Sequence, residues 1–344
     1  MFQSDFLSRY KYNTRTDLLG GGGFGKVYRA YDDLRDRYVA IKIAEVTEGF
    51  EHLSLKSEAE LSKTLSVHKN IAYYEDCYRF EMPNGLYDYG ILQYYPAGNL
   101  SDVIKKGDLN DQQKTQLAKG IINGLSFLHK NQIVHRDLKS SNILISVKDE
   151  EYIAKITDFG LSKAVENIDK TFKTNSFVGG SIKYSAPEQL LNTKVKGNVD
   201  IWSLGVILFE LFVGKVPFDT ENDKGSSGFL RMESIKRITS GDIPPEITSI
   251  PSPYRQIIEK CLVVDPDIRV QTINEIETFL QTVTEISENP QKFDDDATFI
   301  VSKKETFDLS EKSKILSGIS RSKDSEQNQK EKDEKVKKTI INLE

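Results

Sequence analysis

Alternating hydrophobic and polar positions mark the first part of the chain as strand-rich. In YVAIKIA, residues 38–44, one valine and two isoleucines fall on one face of an extended chain, and Lys42 lies between two alanines on the other. The sequence VYRAYDDLRDRYVA predicts two strands joined by a charged turn. YGILQYY, residues 89–95, predicts a further strand that ends at the chain-breaking sequence PAGN.

Helical spacing appears once in this first part and then dominates the chain. Residues 52–65 place three leucines and Glu58 on one side of a predicted helix. Residues 111–130 carry a single stripe of leucine and isoleucine, and residues 199–214 are apolar almost all round, as in a buried central helix. Two more helices are predicted at 253–263 and 272–283. Strands followed by helices predict an α+β fold in two lobes.

Composition limits the expected location and partners. The 344 residues are 38% hydrophobic, and the net charge of −5 argues against general binding to nucleic acid, which usually needs a basic face. We expect no membrane attachment, because no apolar segment is long enough to span a bilayer and the first residues lack the apolar core of a signal peptide. Two cysteines, Cys77 and Cys261, cannot build a disulfide framework, so we expect a reducing, cytoplasmic location.

The sequence changes character near its C-terminal end. Residues 284–344 are polar and mixed in charge, so they cannot bury enough apolar surface to offset the entropy of ordering, and a disordered tail is predicted. Threonines in acidic settings within 294–301 and 304–309 raise the hypothesis that the tail binds a phospho-threonine reader domain. A solvated spacer is the alternative.

Glycines dominate the sequence LGGGGFGKV, residues 19–27, which contains the spacing G-x-G-x-x-G. Glycine lets backbone amides approach a polyphosphate closely. A strand rather than a helix is predicted to follow, which does not fit a dinucleotide-binding loop, so the segment is expected to join two strands and lie over phosphates as a flap. A plain flexible turn is the alternative. The nucleotide-binding prediction covers Leu19, Gly20, Gly21, Gly22, Gly23, Phe24, Gly25, Lys26 and Val27.

Lys42 is a candidate for chemistry because an inward lysine on a strand is costly unless a negative charge pairs with it. A carboxylate on the helix that faces the strands is the expected partner. Glu58 is preferred, because it shares its side of the predicted helix with the leucines. Glu60 points more outward and is the second choice.

The segment HRDLKSSN, residues 135–142, lies between a predicted helix and a predicted strand, and the next strand ends at Asp158. Two adjacent strands would therefore bring their polar side chains to one region. Asn142 and Asp158 offer hard oxygen ligands that suit Mg²⁺ already holding phosphate oxygens. Asp137 remains to accept a hydrogen bond from an incoming hydroxyl group, and Lys139 would lie near the phosphoryl group in transfer.

These motifs occur in a fixed order: VAIK, HRDLKSSN, DFG and then APE at residues 186–188. With this order, the chain from residue 14 to residue 280 resembles a eukaryotic-type protein kinase domain. The resemblance implies a two-lobed fold with a small β-rich lobe at 14–93 and a larger helical lobe at 99–280. It also implies binding of ATP with Mg²⁺, or with Mn²⁺ in its place.

The resemblance assigns roles to the polar residues. Asp137 would orient the substrate hydroxyl and receive its proton, and Asn142 and Asp158 would hold two Mg²⁺ ions. Lys42 would grip the α- and β-phosphates and be positioned by Glu58.

The resemblance also places the adenine of ATP. It would lie between Ala40 and the helical lobe and bond to the backbone from Gln93 to Tyr95. Leu92 would stand at the back of the pocket, where ordinary core packing is a compatible interpretation.

Supporting and regulatory roles follow from the same resemblance. Asp200 is expected to brace the catalytic loop, which is HRDLKSSN at residues 135–142, and Arg269 is expected to pair with Glu188. Arg136 is expected to bind a phosphate on the activation segment, which lies between DFG and APE, and this phosphate would order that segment. The hydroxyls that could carry this phosphate, which the sequence does not rank, are Thr171, Thr174 and Ser176.

Lys139, two residues after Asp137, and Ser181, three residues before Tyr184, resemble the serine/threonine kinase pattern. The expected reaction transfers the γ-phosphoryl group of MgATP to serine and threonine hydroxyls of proteins, including the chain's own activation segment. One alternative is a pseudokinase or scaffold that binds nucleotide without efficient transfer, against which the complete set of polar residues argues. The other is a kinase of small molecules, against which the complete APE segment argues.

Overall fold

Two compact units make up the chain, Met1–Glu277 and Thr278–Glu344. The first unit contains both lobes of an α+β fold, and the described part of the second is the end of one helix. The computed structural model describes residues 1–22, 25–159, 181–191, 193, 195–220 and 226–288.

The first lobe is built on one antiparallel sheet. Its strands are β1 (Tyr10–Lys11), β2 (Leu18–Gly22), β3 (Gly25–Asp32), β4 (Arg37–Glu45), β5 (Tyr74–Met82) and β6 (Gly85–Gln93). They lie in the order β1-β3-β4-β6-β5, and β2 also pairs with β3. Strands β4 and β6 confirm the predictions at 38–44 and 89–95, and β2 and β3 confirm that strands flank the glycine-rich segment.

Each face of this sheet has its own hydrophobic cluster. The outer cluster lies under helix α1 (Gln3–Arg9) and includes Val39 and Ile41 of β4. The inner cluster lies under helix α2 (Leu55–Thr64) and includes Ala40. The two alternating faces of β4 are therefore both used, as the sequence pattern predicts.

Helix α1 was not predicted and lies before residue 14, where the resemblance to the kinase domain begins. Phe6 is fully buried, and its ring lies 4.8–5.5 Å from the rings of four neighbours. Those neighbours are Tyr10, Tyr78, Phe80 and Tyr89. The guanidinium of Arg9 donates two hydrogen bonds of 2.7 Å to the buried carboxylate of Asp32 on β3. The segment before residue 14 is thus part of the folded first lobe.

The second lobe is mainly helical and is organised around one buried helix. Its elements are α3 (Leu100–Lys106), α4 (Asp111–Lys130), β7 (Ile143–Lys148), β8 (Glu151–Ile156), α5 (Pro187–Leu190), α6 (Val199–Val213), α7 (Ser227–Ser240), α8 (Tyr254–Cys261) and α9 (Ile273–Glu288). Every residue of α6 from Val199 to Leu211 is buried, which confirms the predicted central helix. Strands β7 and β8 pair to form a separate two-stranded sheet next to the catalytic loop.

Helices α4, α8 and α9 also confirm predicted helices, whereas α3 and α7 were not predicted. Helix α9 runs to Glu288 and so takes the helix into the first residues of the predicted tail. The rest of that tail, from residue 289 onward, lies outside the described residues. Within the described part of the chain, no helix combines the length and the hydropathy needed to cross a membrane.

We expect the Phe6→Ala variant to lower the free energy of unfolding by about 3–5 kcal/mol, because a fully buried phenylalanine is replaced by a cavity. Urea unfolding of the full chain measures this change. The matched control is Phe2→Ala, since Phe2 precedes the same helix and is 81% exposed; its effect should stay within about 0.5 kcal/mol. Equal effects of the two variants would show that α1 does not contribute to the core of the first lobe.

Candidate active site

A salt bridge joins the sheet of the first lobe to the strand pair of the second. The ammonium group of Lys42, on β4, lies 2.9 Å from Oδ1 of Asp158, which follows β8. Burial disfavours the charged ammonium, but the carboxylates of Asp158 and Glu58 outweigh it and raise the pKa of Lys42. Burial also disfavours the charged carboxylate of Asp158, yet Lys42 holds its pKa below the ordinary value. Both groups are therefore charged at neutral pH.

Glu58 lies in the first turn of α2 on the buried side of the helix, whereas Glu60 is exposed. This placement favours Glu58 over Glu60 as the helix carboxylate that faces Lys42. The ion pair of Lys42, however, is made with Asp158. The contribution of Glu58 is the negative charge that helps to raise the pKa of Lys42, and a direct grip between the two side chains stays a prediction.

The catalytic-loop residues converge on the carboxyl group of Asp137. The ammonium of Lys139 lies 2.7 Å from Oδ2 of Asp137. The side-chain amide of Asn142 donates to the backbone oxygen of Asp137 at 2.9 Å and to its Oδ2 at 3.5 Å. Because the amide nitrogen of Asn142 is used in this way, its amide oxygen is the atom suited to coordinate a metal ion.

Short hydrogen bonds tie this loop to the segment that carries Asp158. The backbone amide of Thr157 donates to the backbone oxygen of Asn142 at 3.0 Å. The buried ring of His135 donates from Nε2 to the backbone oxygen of Thr157 at 2.8 Å. Asp158 itself has a φ of 62°, in the left-handed region that non-glycine residues rarely adopt. The two backbone contacts of the preceding Thr157 and the ion pair with Lys42 hold Asp158 in that conformation.

Asp200, in the first turn of α6, holds the catalytic loop through hydrogen bonds to its backbone. Its fully buried carboxylate accepts hydrogen bonds from the backbone amides of His135 at 2.6 Å and Arg136 at 2.7 Å. Nε2 of His129 donates a third bond of 2.8 Å. Arg136 has a φ of 65°, so the bond to its amide fixes a strained backbone. The expectation that Asp200 braces this loop is confirmed.

Arg269 and Glu188 form a second buried support. The guanidinium donates from Nη1 at 2.7 Å and from Nη2 at 2.9 Å to the two carboxylate oxygens. Arg269 also donates to the backbone oxygens of Asn198, Val263 and Val264. The predicted pair is confirmed, and it fixes the APE segment to the helical lobe.

Sequence reasoning missed a buried polar cluster next to the catalytic loop. The hydroxyl of Tyr184 lies 2.8 Å from both Oγ of Ser140 and Oε2 of Glu210. Burial raises the pKa of Glu210 above its ordinary value, against the hydrogen bonds from Tyr184 and Ser140. The signal for this cluster was Glu210, a carboxylate in the middle of the apolar residues 203–214, because a carboxylate in such a helix needs a partner. The cluster joins the catalytic loop to the segment before APE.

The glycine-rich segment has two kinds of glycine. Gly25 has a φ of 109°, and a Cβ there would collide with the backbone oxygen of Ile43 on β4, so the sheet itself requires glycine. A Cβ at Gly20 or Gly22 would meet no atom of a described residue within 4 Å, so packing against those residues does not require glycine at either position. A close approach of ligand to the backbone remains a reason for these two glycines. Gly23 and Phe24 lie outside the described residues.

The residues expected around adenine lie at the end of the inner face of the sheet. Ala40 and Leu92 belong to the hydrophobic cluster on that face. Gln93 is the exposed last residue of β6, and the hydroxyl of the buried Tyr95 donates to its side chain at 3.2 Å. The packing interpretation of Leu92 is confirmed, while the contacts with adenine stay predictions.

The regulatory hydroxyls Thr171, Thr174 and Ser176 lie outside the described residues. Arg136, expected to bind a phosphate on that segment, has buried Nε and Nη1 atoms that make no hydrogen bond with any described residue. A guanidinium with unused buried donors is suited to an anion.

The residues present fit a magnesium–triphosphate group. Asn142 and Asp158 supply the hard oxygen donors that Mg²⁺ prefers, and Lys42 supplies a buried cation for phosphate oxygens. The open space beside Gly20 and Gly22 leaves room for a ligand close to the backbone of β2.

Comparison with known proteins identifies the family to which this arrangement belongs. Residues 13–281 match the protein kinase domain. The chain belongs to the protein kinase family. Its motifs VAIK, HRDLKSSN, DFG and APE all lie within the matched region.

Several curated proteins resemble this chain over most of its length. A probable serine/threonine-protein kinase of Clostridium acetobutylicum is 32% identical over 300 residues, which are 86% of this chain and 42% of that protein. The serine/threonine-protein kinase PrkC of Bacillus subtilis is 32% identical over 77% of this chain and 39% of its own length. The SNF1-related protein kinase catalytic subunit alpha KIN12 of Arabidopsis thaliana is 34% identical over 79% of this chain and 49% of its own length. The chain therefore spans less than half the length of these relatives.

We expect the Asp200→Asn variant of the chain to lose about 1–3 kcal/mol of stability, because an amide nitrogen would face donors that now bond to a carboxylate oxygen. Misplacement of the catalytic loop should lower kcat by about 100-fold. Thermal unfolding and steady-state kinetics measure the two effects. Asp267→Asn, at an exposed partner of Lys196, is the control and should change neither. Lower stability with an unchanged kcat would limit Asp200 to a role in folding.

Proposed function

We propose that the chain is an ATP-dependent serine/threonine protein kinase. The observation that carries the proposal is that two ion pairs, Lys42 with Asp158 and Lys139 with Asp137, lie in segments that both hydrogen-bond to Asn142. One pair offers a buried cation and a metal ligand, and the other offers a carboxylate beside a cation. The proposed catalytic domain spans 14–280, with its β-rich lobe at 14–93 and its helical lobe at 99–280.

The proposed mechanism assigns one task to each side chain. Lys42 binds phosphate oxygens of ATP, and Asp158 together with Glu58 keeps it charged and in place. Magnesium, or manganese in its place, held by Asn142 and Asp158 would neutralise charge on the phosphate oxygens. Lys139 stabilises the negative charge on the phosphoryl group in transfer.

Asp137 is the proposed acceptor of the proton of the substrate hydroxyl. Among the described residues, the contacts of its carboxyl group with Lys139 and Asn142 are both made through Oδ2. Oδ1 is therefore left to accept a hydrogen bond from a serine or threonine hydroxyl. In this role Asp137 orients the attacking oxygen and takes its proton as the bond to phosphorus forms.

The proposed substrates are proteins. This assignment is supported by the relatives named serine/threonine-protein kinases and by the buried cluster that fixes Tyr184 beside the catalytic loop. A cytoplasmic location stays a prediction that rests on the two cysteines. A phospho-threonine reader partner stays a hypothesis, because the tail threonines lie outside the described residues.

We expect the Asp137→Ala variant to lower kcat by at least ~10²-fold while nucleotide binding is retained, because the proton acceptor is lost and Lys42 and Asp158 remain. Phosphoryl transfer from labelled ATP to a mixture of serine and threonine proteins measures activity, and fluorescent-nucleotide titration measures binding. Glu60→Gln, at an exposed position of α2, is the control and should keep both. Transfer by Asp137→Ala at the wild-type rate would contradict the role given to Asp137.

The regulatory part of the proposal is that the kinase phosphorylates its own activation segment and that Arg136 binds the phosphate. The unused buried donors of Arg136 support it. The triple variant Thr171→Ala, Thr174→Ala and Ser176→Ala should be less active than the wild type, and mass spectrometry should find phosphate on this segment of the wild type only. Equal activity of the triple variant, with a segment free of phosphate, would contradict self-activation at these positions.

A further inference from the structure

A second arginine–aspartate pair lies in the sheet, beside helix α2. Asp88 on β6 is fully buried and stands opposite Arg79 on β5 in the strand register. The guanidinium of Arg79 donates from Nε to Oδ1 at 2.7 Å and from Nη2 to Oδ2 at 2.9 Å. This is a bidentate pair, in which both partners have a fixed orientation.

The same pair extends to the first turn of α2. Oδ2 of Asp88 accepts a hydrogen bond of 2.9 Å from the backbone amide of Lys56, the second residue of the helix. Nη2 of Arg79 also donates to Oγ of Ser54 at 2.8 Å. Ser54 is the N-cap of α2, and its hydroxyl oxygen accepts from the amide of Ser57. Two of the amides that a helix leaves unpaired at its start are thus satisfied by this cluster.

The charge of Asp88 suits this position. The amino end of a helix carries a partial positive charge, which a carboxylate stabilises. Because Asp88 is fully buried on a central part of the sheet, its position is set by strands β5 and β6 rather than by the helix. The start of α2 is therefore fixed to the sheet by a polar contact with defined geometry, in addition to the packing of Leu55 and Ala59.

Glu58 lies two residues after Lys56, in the same first turn. We propose that Asp88 and Arg79 are positioning residues for phosphoryl transfer, which fix the start of α2 and thereby hold the carboxylate of Glu58 beside Lys42. This inference rests on the proposed kinase function. A shift of the first turn would move Glu58 relative to Lys42 and so change the placement of the ammonium that binds the phosphates.

The chain contains a matched control for this proposal. Asp32 is also fully buried in the first lobe and is held by a bidentate arginine, Arg9, with both contacts at 2.7 Å. Its other hydrogen bonds come from the backbone amides of Leu34 and Arg35, in the turn between β3 and β4. The two pairs share burial and chemistry, but Asp32 does not contact α2.

The experiment compares Asp88→Asn with Asp32→Asn in the full chain. Both variants should lower the melting temperature, because each weakens a buried ion pair. Only Asp88→Asn should lower kcat/KM for ATP, by about 10- to 100-fold. Hydrogen exchange should accelerate at the amides of α2 in Asp88→Asn and stay at the wild-type rate in Asp32→Asn.

A second pair of variants covers the case in which Asp88→Asn fails to fold. Ser54→Ala removes the helix cap and the acceptor of Arg79 without leaving a buried charge unpaired, and it should lower kcat/KM for ATP in the same direction. Ser54→Thr keeps a capping hydroxyl and should restore activity and slow exchange at α2.

Equal kinetics and equal exchange at α2 in Asp88→Asn and Asp32→Asn would overturn the proposal, as would wild-type behaviour of Ser54→Ala. Failure of the proposed function gives a different result. In that case the wild-type chain transfers no phosphoryl group, while exchange at α2 still reports whether Asp88 fixes the helix.

Discussion

The carboxylate of Asp200 fixes the backbone on which the active site is built. It is fully buried at the start of α6, and its hydrogen bonds reach two successive amides of the catalytic loop and the ring of His129. A buried carboxylate is stable only with its donors in place, so the helix and the loop constrain each other. This constraint holds the backbone of Arg136 in the left-handed region and so sets the position of the next residue, Asp137. The buried apolar side chains of α6 hold this helix, and with it Asp200, in the helical lobe.

The Lys42–Asp158 ion pair is a second contact between charged groups, and it links the two lobes. Two carboxylates, Asp158 and Glu58, act on one buried ammonium, which leaves an excess of negative charge at the site. A divalent cation held by Asn142 and Asp158 would offset that excess, and Lys42 would remain to bind phosphate oxygens. The polar residues are therefore mutually consistent as a receptor for a metal-bound polyphosphate. A structural ion pair alone would not need the second carboxylate or the amide oxygen of Asn142.

Local sequence patterns were sufficient to predict the helices and strands whose buried side chains recur at one regular spacing along the chain. Strand β4 alternates because separate clusters cover its two faces, and α6 is apolar all round because it is buried on every side. Helix α1 gave no such signal, because it has seven residues and buries only Phe6. The candidate site residues could be named from the sequence because their motifs are contiguous. The partners of Glu210 and Asp88 could not be predicted, because a charged residue in a strand or helix looks like a surface residue in the sequence. Its partner comes from a distant segment, as with Lys56 and Asp88, which are 32 positions apart.

The two arginine–aspartate pairs of the first lobe show why ion-pair geometry alone does not assign a role. Asp32 and Asp88 are both fully buried, and each forms a bidentate pair with an arginine. They differ in what their remaining lone pairs bind. Asp32 closes a turn between neighbouring strands, which affects the sheet alone. Asp88 binds the end of a helix that carries a charged residue of the site, so the same interaction reaches Lys42 through Glu58. The role of a buried charge therefore depends on which element its remaining acceptor binds and on what that element carries.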